Sequence, residues 1–174
     1  MKRFAMLLGL AAAGILAGCQ TQPGGPPGPP PPPVAGNESF SDQDFAWSTQ
    51  AGGSSVDGLL TYQGGPGHFT CKDVVLIPRT AWSRRRMIIL YGSDSQAAVS
   101  AAEVRTRTPS APSGNYSQYV KHATCDAADH FSFGGLPNGG WFVITVATPV
   151  AGGDGVAVMR HVETRGGVTR VALN

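Results

Sequence analysis

Four side chains of the types that bind metal ions lie within nine residues of the chain: His122, Cys125, Asp126 and His130. A zinc site needs at least three such ligands converging on one point, and a hairpin in this region would bring part of the group together. We expect instead that the strand histidines face solvent and that Cys125 is used elsewhere, as argued below. The sequence therefore predicts no metal and no cofactor. A metal-dependent enzyme built on the four histidines of the chain, His68, His122, His130 and His161, is the least favoured alternative.

A second group of residues suits binding rather than catalysis. Three consecutive arginines, Arg84, Arg85 and Arg86, form a compact positive charge that can contact lipid phosphate or an acidic partner, although such a run also fits an ordinary solvated face. Trp82 and Trp47 can stack on sugar rings if they are exposed. These residues define a candidate binding surface.

The motifs of common enzyme classes do not occur in the sequence. It contains no HExxH, no GxSxG, no Walker A loop and no GxGxxG at the start of a helix. We therefore predict that the protein is not an enzyme.

The first eighteen residues have the layout of a secretory signal peptide. Lys2 and Arg3 precede an apolar stretch, MKRFAMLLGLAAAGILAG, that ends before Cys19. A transmembrane anchor is the alternative, but the stretch is shorter than the roughly 20 residues that span a hydrocarbon core. Residues 1–18 are predicted to be removed.

The four residues Leu16-Ala17-Gly18-Cys19 resemble the lipobox of bacterial lipoproteins. The resemblance implies that the thiol of Cys19 carries a diacylglycerol and that the new amino terminus is acylated as well. Two or more acyl chains make a stable membrane anchor. In the lipoproteins that the chain resembles, an aspartate directly after the cysteine favours the inner membrane. Gln20 stands there instead, so the resemblance implies an outer-membrane protein that faces the periplasm.

Removal of the signal peptide changes the charge of the chain. The full sequence has 13 Lys and Arg against 11 Asp and Glu, and the signal contains two of the basic residues and no acidic one. The mature chain then has 11 of each and is neutral. A neutral chain lacks the positive charge that nucleic acid binding requires, so nucleic acid is not an expected partner.

Two cysteines remain once Cys19 carries lipid. Cys71 and Cys125 form an even pair in an oxidising compartment, where a disulfide is the expected outcome. Closing the loop between Cys71 and Cys125 stabilises the folded state by about 4 kcal/mol in the chain-entropy model.

The rest of the chain divides into a linker, a lead-in and a domain. Residues 19–36 include eight prolines and no charge, which predicts an extended spacer. Residues 37–54 are expected to be a partly ordered lead-in that packs one or two aromatic side chains. Residues 55–174 are the size of one domain.

Short apolar runs separated by glycine-rich turns predict several strands and little helix in this domain. They are residues 59–62, 74–77, 119–124, 130–133, 141–146, 155–162 and 168–173. This spacing is typical of a sandwich or barrel. Residues 81–91 favour one short helix between Thr80 and Gly92, although Met87–Tyr91 alone also fits a strand. Residues 95–117 are expected to be a long loop, with a brief helix near 96–104.

The segment TCDAADHFSFGGLPNGGWFV, residues 124–143, resembles the central motif of carboxypeptidase regulatory-like domains. Residues 71–80 and 168–173 extend the similarity to most of residues 55–173. The resemblance implies an all-β, antiparallel, transthyretin-like sandwich of about seven strands. Domains of this family are generally accessory, so the fold does not transfer an activity.

The motif residues have physical roles in this resemblance. Asp126 should begin a tight turn and accept hydrogen bonds from backbone amides. Asp129 stands where the family usually has glycine, and we expect the turn to survive because aspartate tolerates a left-handed conformation. The remaining motif positions are expected to enter the core or close the loop between two strands: Phe131, Phe133, Leu136, Pro137, Gly139 and Trp141.

The sequence thus predicts an outer-membrane-anchored, periplasmic lipoprotein that acts as a binding or assembly module of the cell envelope. Its expected partners are the membrane, through the lipid on Cys19, and an unidentified envelope protein or glycan. A carbohydrate-binding or peptidoglycan-binding module is the alternative.

Overall fold

A computed structural model describes residues 39–64 and 67–174 of the chain. The predicted signal peptide, the lipidation site Cys19 and the proline-rich linker lie outside the described residues. Within them, no helix is both long and apolar enough to span a membrane.

The described residues form nine strands and three α-helices. The strands are β1 Ser54–Leu60, β2 Phe69–Thr70, β3 Asp73–Pro78, β4 Gln96–Ser100, β5 Lys121–Thr124, β6 His130–Leu136, β7 Gly139–Pro149, β8 Val156–Thr164 and β9 Gly167–Leu173. The helices are α1 Asp42–Phe45, α2 Ala81–Tyr91 and α3 Ala101–Arg107.

The strands build two sheets that pack as a sandwich. The smaller sheet has the order β6-β1-β9, and the larger has the order β4-β8-β7-β3-β5 with β2 pairing with the end of β7. The prediction of an all-β sandwich is confirmed. Two details differ from it: the described residues hold nine strands instead of about seven, and β1 and β9 pair in parallel.

The main core lies between the two sheets and includes the motif residues that were expected to be buried. Phe131 is 4% exposed and Phe133 is 5% exposed, whereas Leu136 and Trp141 are fully buried. Strand β7 is buried on both faces, because Phe142 and its neighbours on the opposite side form a second apolar cluster with α2. Such a strand shows a continuous apolar run rather than an alternating one.

Helix α2 forms where the sequence predicts a helix. The side chain of Thr80 accepts a hydrogen bond from the backbone amide of Ser83, and the side chain of Ser83 accepts one from the amide of Thr80. This reciprocal capping box fixes the start of the helix. Gly92 ends it in the left-handed conformation, with φ at 73°.

The segment predicted as a long loop, residues 95–117, is more regular than expected. Strand β4 pairs with β8 at the edge of the larger sheet, and α3 follows it directly. The loop prediction was wrong here because small residues such as Ala97 and Ala98 give a weak apolar signal, yet they fit an edge strand whose pairing partner is far away in the sequence.

The predicted disulfide is present between Cys71 and Cys125, whose Cα atoms are 5.8 Å apart. It joins the residue that directly follows β2 to the turn that leads into β6. Asp129, in this turn, has a φ of 62°, so aspartate does adopt the left-handed conformation at this position. This outcome agrees with the expectation that the turn survives the loss of the usual glycine.

Candidate functional site

A cleft of about 550 Å³ lies on the outer face of the smaller sheet, and we call it the outer cleft. Its volume is in the range of ligand-binding clefts in proteins. It is lined by Asp57, Gly58, Leu59, Thr124, Asp126, His130, Phe131, Ser132, Arg170 and Val171.

The pairing of the three strands places polar side chains side by side in this cleft. Asp57 of β1 lies opposite Ser132 of β6 and opposite Arg170 of β9. The next outward position on β1 is Leu59, which lies opposite His130. Residues directly opposite in neighbouring strands share a face of the sheet, so these five side chains form one continuous surface.

Side chains of β1 point alternately to the core and to this surface. Val56 and Leu60 are buried, whereas Asp57 between them is exposed. On the core side, a Cβ atom at Gly58 would overlap the ring of Phe131, so the ring packs directly on the glycine backbone. Glycine at this position lets Phe131 lie across β1 beneath the cleft.

One side of the outer cleft comes from the turn between β5 and β6. Thr124 ends β5, and Asp126 follows it in the turn. Oδ1 of Asp126 accepts hydrogen bonds from the backbone amides of Ala128 and His130, each at 2.9 Å. These hydrogen bonds, that from His130 first, hold the pKa of Asp126 below its ordinary value. The turn geometry predicted for Asp126 is therefore present.

Two charged groups of the outer cleft, on Asp57 and Arg170, are available to a ligand. Within residues 39–64 and 67–174, neither the carboxylate of Asp57 nor the guanidinium of Arg170 has a hydrogen-bond or ion-pair partner. A carboxylate accepts hydrogen bonds from hydroxyl groups, and a guanidinium donates several in a fixed planar geometry. The arrangement suits a polar ligand with many hydroxyl groups.

The aromatic residue Trp82 does not form the exposed stacking surface that the sequence suggested. It is 1% exposed and packs against Phe40, Phe45 and Tyr116, with ring centroids 5.5, 5.9 and 4.9 Å away. Trp47 is half-buried, and its ring lies 5.0 Å from that of Trp141. The expectation of exposed stacking was wrong because both tryptophans pack within the domain.

The three arginines of α2 do not form one cationic surface either. Consecutive helical residues point about 100° apart around the axis. Nε of Arg84 donates to Oδ2 of Asp94 at 2.7 Å, and Nη1 of Arg86 donates to the carbonyl oxygen of Pro112 at 2.7 Å. The guanidinium of Arg86 also lies over the ring of Trp82. Arg85 is exposed on a further side of the helix.

The histidine-rich segment does not gather into a metal site. Cys125 is taken up by the disulfide, and among residues 39–64 and 67–174 no three His, Cys, Asp or Glu side chains are placed to hold a metal ion. His130 lines the outer cleft, and its Nδ1 lies 3.9 Å from Oδ2 of Asp126.

Three residues of the outer cleft were missed at the sequence level: Asp57, Ser132 and Arg170. Each is a polar residue at an outward position of a strand, which is the commonest environment for such residues and so carries no special signal. Only the pairing of β1 with β6 and β9 brings them together.

Comparison with solved structures gives a likeness of fold. No family model matches the chain, and no curated protein matches it. A crystal structure from Pseudomonas aeruginosa, of a protein proposed to bind carbohydrate, matches with a TM-score of 0.55 and 24% sequence identity. The match covers 77% of this chain and 96% of the other. The two proteins share a β-sandwich fold.

Proposed function

We propose that the β-sandwich is a non-enzymatic carbohydrate-binding module of the cell envelope and that the outer cleft is its ligand site. One observation carries the proposal: Asp57, Ser132 and Arg170 stand side by side in an open cleft, with both charged groups unpaired in the described part of the chain. Hydroxyl-rich ligands are bound by convergent groups of this kind. The Pseudomonas aeruginosa protein with the similar fold is proposed to bind the same class of ligand.

The location of the module is a second part of the proposal. The lipobox-like residues that end at Cys19 support a lipid anchor in the outer membrane, with the domain in the periplasm. Peptidoglycan is the major glycan that such a domain would meet, so its glycan strands are the proposed ligand. Incorporation of labelled palmitate into the wild-type protein but not into Cys19→Ala tests the anchor.

Calorimetric titration of the full-length protein in detergent tests the ligand. The probe is a preparation of soluble peptidoglycan glycan strands, with chitotetraose as a comparison. Arg170→Ala should weaken binding by about tenfold or more, because a charge-assisted hydrogen bond is lost. Arg165→Ala is a matched control, since Arg165 is exposed in the turn between β8 and β9. The proposal would be refuted if the protein bound neither glycan. It would also be refuted if Arg170→Ala and Arg165→Ala changed the affinity equally.

A peptide segment of an envelope protein is the second candidate ligand. Val168 is 59% exposed, and it lies two residues before Arg170, so it shares the outward face of β9. An exposed apolar side chain beside a charged cleft favours a protein partner. Crosslinking in cells followed by mass spectrometry distinguishes the two candidates, because a crosslink between residues 168–172 and one envelope protein is expected only for the second.

A further inference from the structure

The turn between β5 and β6 forms one side of the outer cleft, and we call residues 124–130 the cleft wall. The backbone amide of Asp126 donates to the carbonyl oxygen of His130 at 2.8 Å, and the amide of Asp129 donates to that of Asp126 at 3.0 Å. These bonds close the turn on itself. They do not fix its position relative to β1 and β9, which supply the opposite part of the cleft.

Residues 70–72, at the end of β2 and before β3, hold the cleft wall in position. The disulfide joins Cys125 to Cys71, and the amide of Cys125 donates to the carbonyl oxygen of Lys72 at 2.9 Å. These two contacts hold the first half of the wall. The second half is joined to β1, because the backbone amide of Leu60 donates to the carbonyl oxygen of Asp129 at 3.1 Å and His130 pairs with Leu59. The two contacts above do not tie this half to residues 70–72.

The side chain of Asp129 attaches the second half of the wall to residues 70–72 as well. Its Oδ1 accepts a hydrogen bond from Oγ1 of Thr70 at 2.5 Å and another from the backbone amide of Cys71 at 2.9 Å. Its Oδ2 lies 3.2 Å from Nε2 of His68. The residue is 4% exposed and is not among the residues that line the outer cleft. Its carboxylate therefore acts on the wall and not on a ligand.

The backbone conformation of Asp129 limits which residues can replace it. With φ at 62°, the residue adopts a left-handed conformation, which is uncommon for residues other than glycine. Asparagine tolerates this conformation as aspartate does, and glycine adopts it without strain. Glycine would keep the turn but leave the amide of Cys71 without its carboxylate partner.

We propose that Asp129 is a positioning residue of the outer cleft, which holds the cleft wall so that Thr124, Asp126 and His130 face the ligand. The inference rests on the proposed function of the cleft. The disulfide fixes the wall near its start, and the carboxylate of Asp129 fixes it near its end. Both attachments reach the same short segment, residues 70–72, so the wall is held against this segment at two points in addition to its pairing with β1.

The test compares Asp129→Gly with Asp129→Asn in the full-length protein in detergent. Glycine removes the carboxylate and keeps the turn, whereas asparagine keeps an oxygen acceptor for Thr70 and Cys71. Titration with peptidoglycan glycan strands should show binding weakened about tenfold by Asp129→Gly and restored to within about twofold of wild type in Asp129→Asn. Asp154→Gly, in the exposed turn between β7 and β8, is the matched control.

Hydrogen exchange of the peptide that covers residues 124–131 is measured on the same samples. Faster exchange confined to this peptide in Asp129→Gly is expected, with the exchange of β7 unchanged. Wild-type affinity in Asp129→Gly, or an equal loss in both variants, would overturn the inference while leaving the proposed function intact. If the wild-type protein does not bind the strands, the proposed function has failed, and unchanged exchange in Asp129→Gly would then overturn the positioning role as well.

Discussion

The ring of Phe40 lies 5.5 Å from the ring of Trp82, edge to face. A Cβ atom at Gly114 would stand 2.6 Å from the Cβ of Phe40, so Phe40 packs directly on the backbone of the segment after α3. Asp42 is held in the same region, since the hydroxyl of Tyr119 donates to its Oδ1 at 2.8 Å. The segment before β1 is thus packed onto α2 and residues 114–119.

Phe45 is the most deeply buried residue of this segment, and its truncation should be costly. It is fully buried and stacks on Tyr119 with the ring centroids 5.1 Å apart. Phe45→Ala should lower the free energy of unfolding by about 3–5 kcal/mol, because a large cavity forms beside Trp82. Phe45→Leu, which fills most of the space, should cost clearly less. Urea unfolding measures both, and a loss below about 1 kcal/mol for alanine would show that the segment is only loosely attached.

Gly58 should not tolerate a side chain. A Cβ atom there would overlap the ring of Phe131, which is itself 4% exposed and cannot move freely. Gly58→Ala should destabilise the protein by about 1–3 kcal/mol, the usual cost of overpacking a core. Gly53→Ala is the control, because nothing lies within 4 Å of the added methyl group. Thermal unfolding of the two variants should separate them, and equal midpoints would contradict the packing of Phe131 on β1.

Local signals explain which parts of the fold could be predicted. Thr80 and Gly92 cap α2 through hydrogen bonds to residues a few positions away, so their types alone identify the ends of the helix. The run from Trp141 to Ile144 is apolar because this part of β7 is covered on both faces, and the run is visible in the sequence. Both features are visible within a short stretch of the sequence.

The features that were missed depend on partners far along the chain. Asp57 and Arg170 meet only because β1 and β9 pair in parallel, and neither strand contains a sign of the other. Trp82 is of a residue type that often binds sugars, but Phe40 and Tyr116 cover it. The outer cleft could therefore not be predicted, although the residues of the turn beside it could.

The disulfide should make a large contribution to stability. It closes the loop between Cys71 and Cys125, and Cys71 is 6% exposed in the main core. The double variant Cys71→Ala/Cys125→Ala, with Cys19 retained, should lose up to about 4 kcal/mol of unfolding free energy. Urea unfolding of the wild type with and without a reductant is the companion measurement, and reduction should bring the wild type close to the double variant. A double variant as stable as the oxidised wild type would contradict this prediction.

The ionisation of Asp129 should make stability depend on acidity. Burial by itself raises the pKa of Asp129, but the hydrogen bonds from Thr70 and Cys71, with the nearby His68, outweigh it and leave the pKa below its ordinary value. Because the folded-state pKa is the lower one, this contribution to stability is present above the unfolded pKa of about 3.9 and is lost as the pH falls through the folded value.

Urea midpoints measured between about pH 5 and about pH 2.5 check this dependence. The wild type should lose stability more steeply on acidification than Asp129→Asn, which has no carboxylate to protonate at this position. Asp154→Asn removes one exposed carboxylate elsewhere and is the matched control. Parallel curves for the wild type and Asp129→Asn would show that the charge of Asp129 does not stabilise the turn. Hydrogen bonds to its oxygen would then be sufficient to hold the residue in its left-handed conformation.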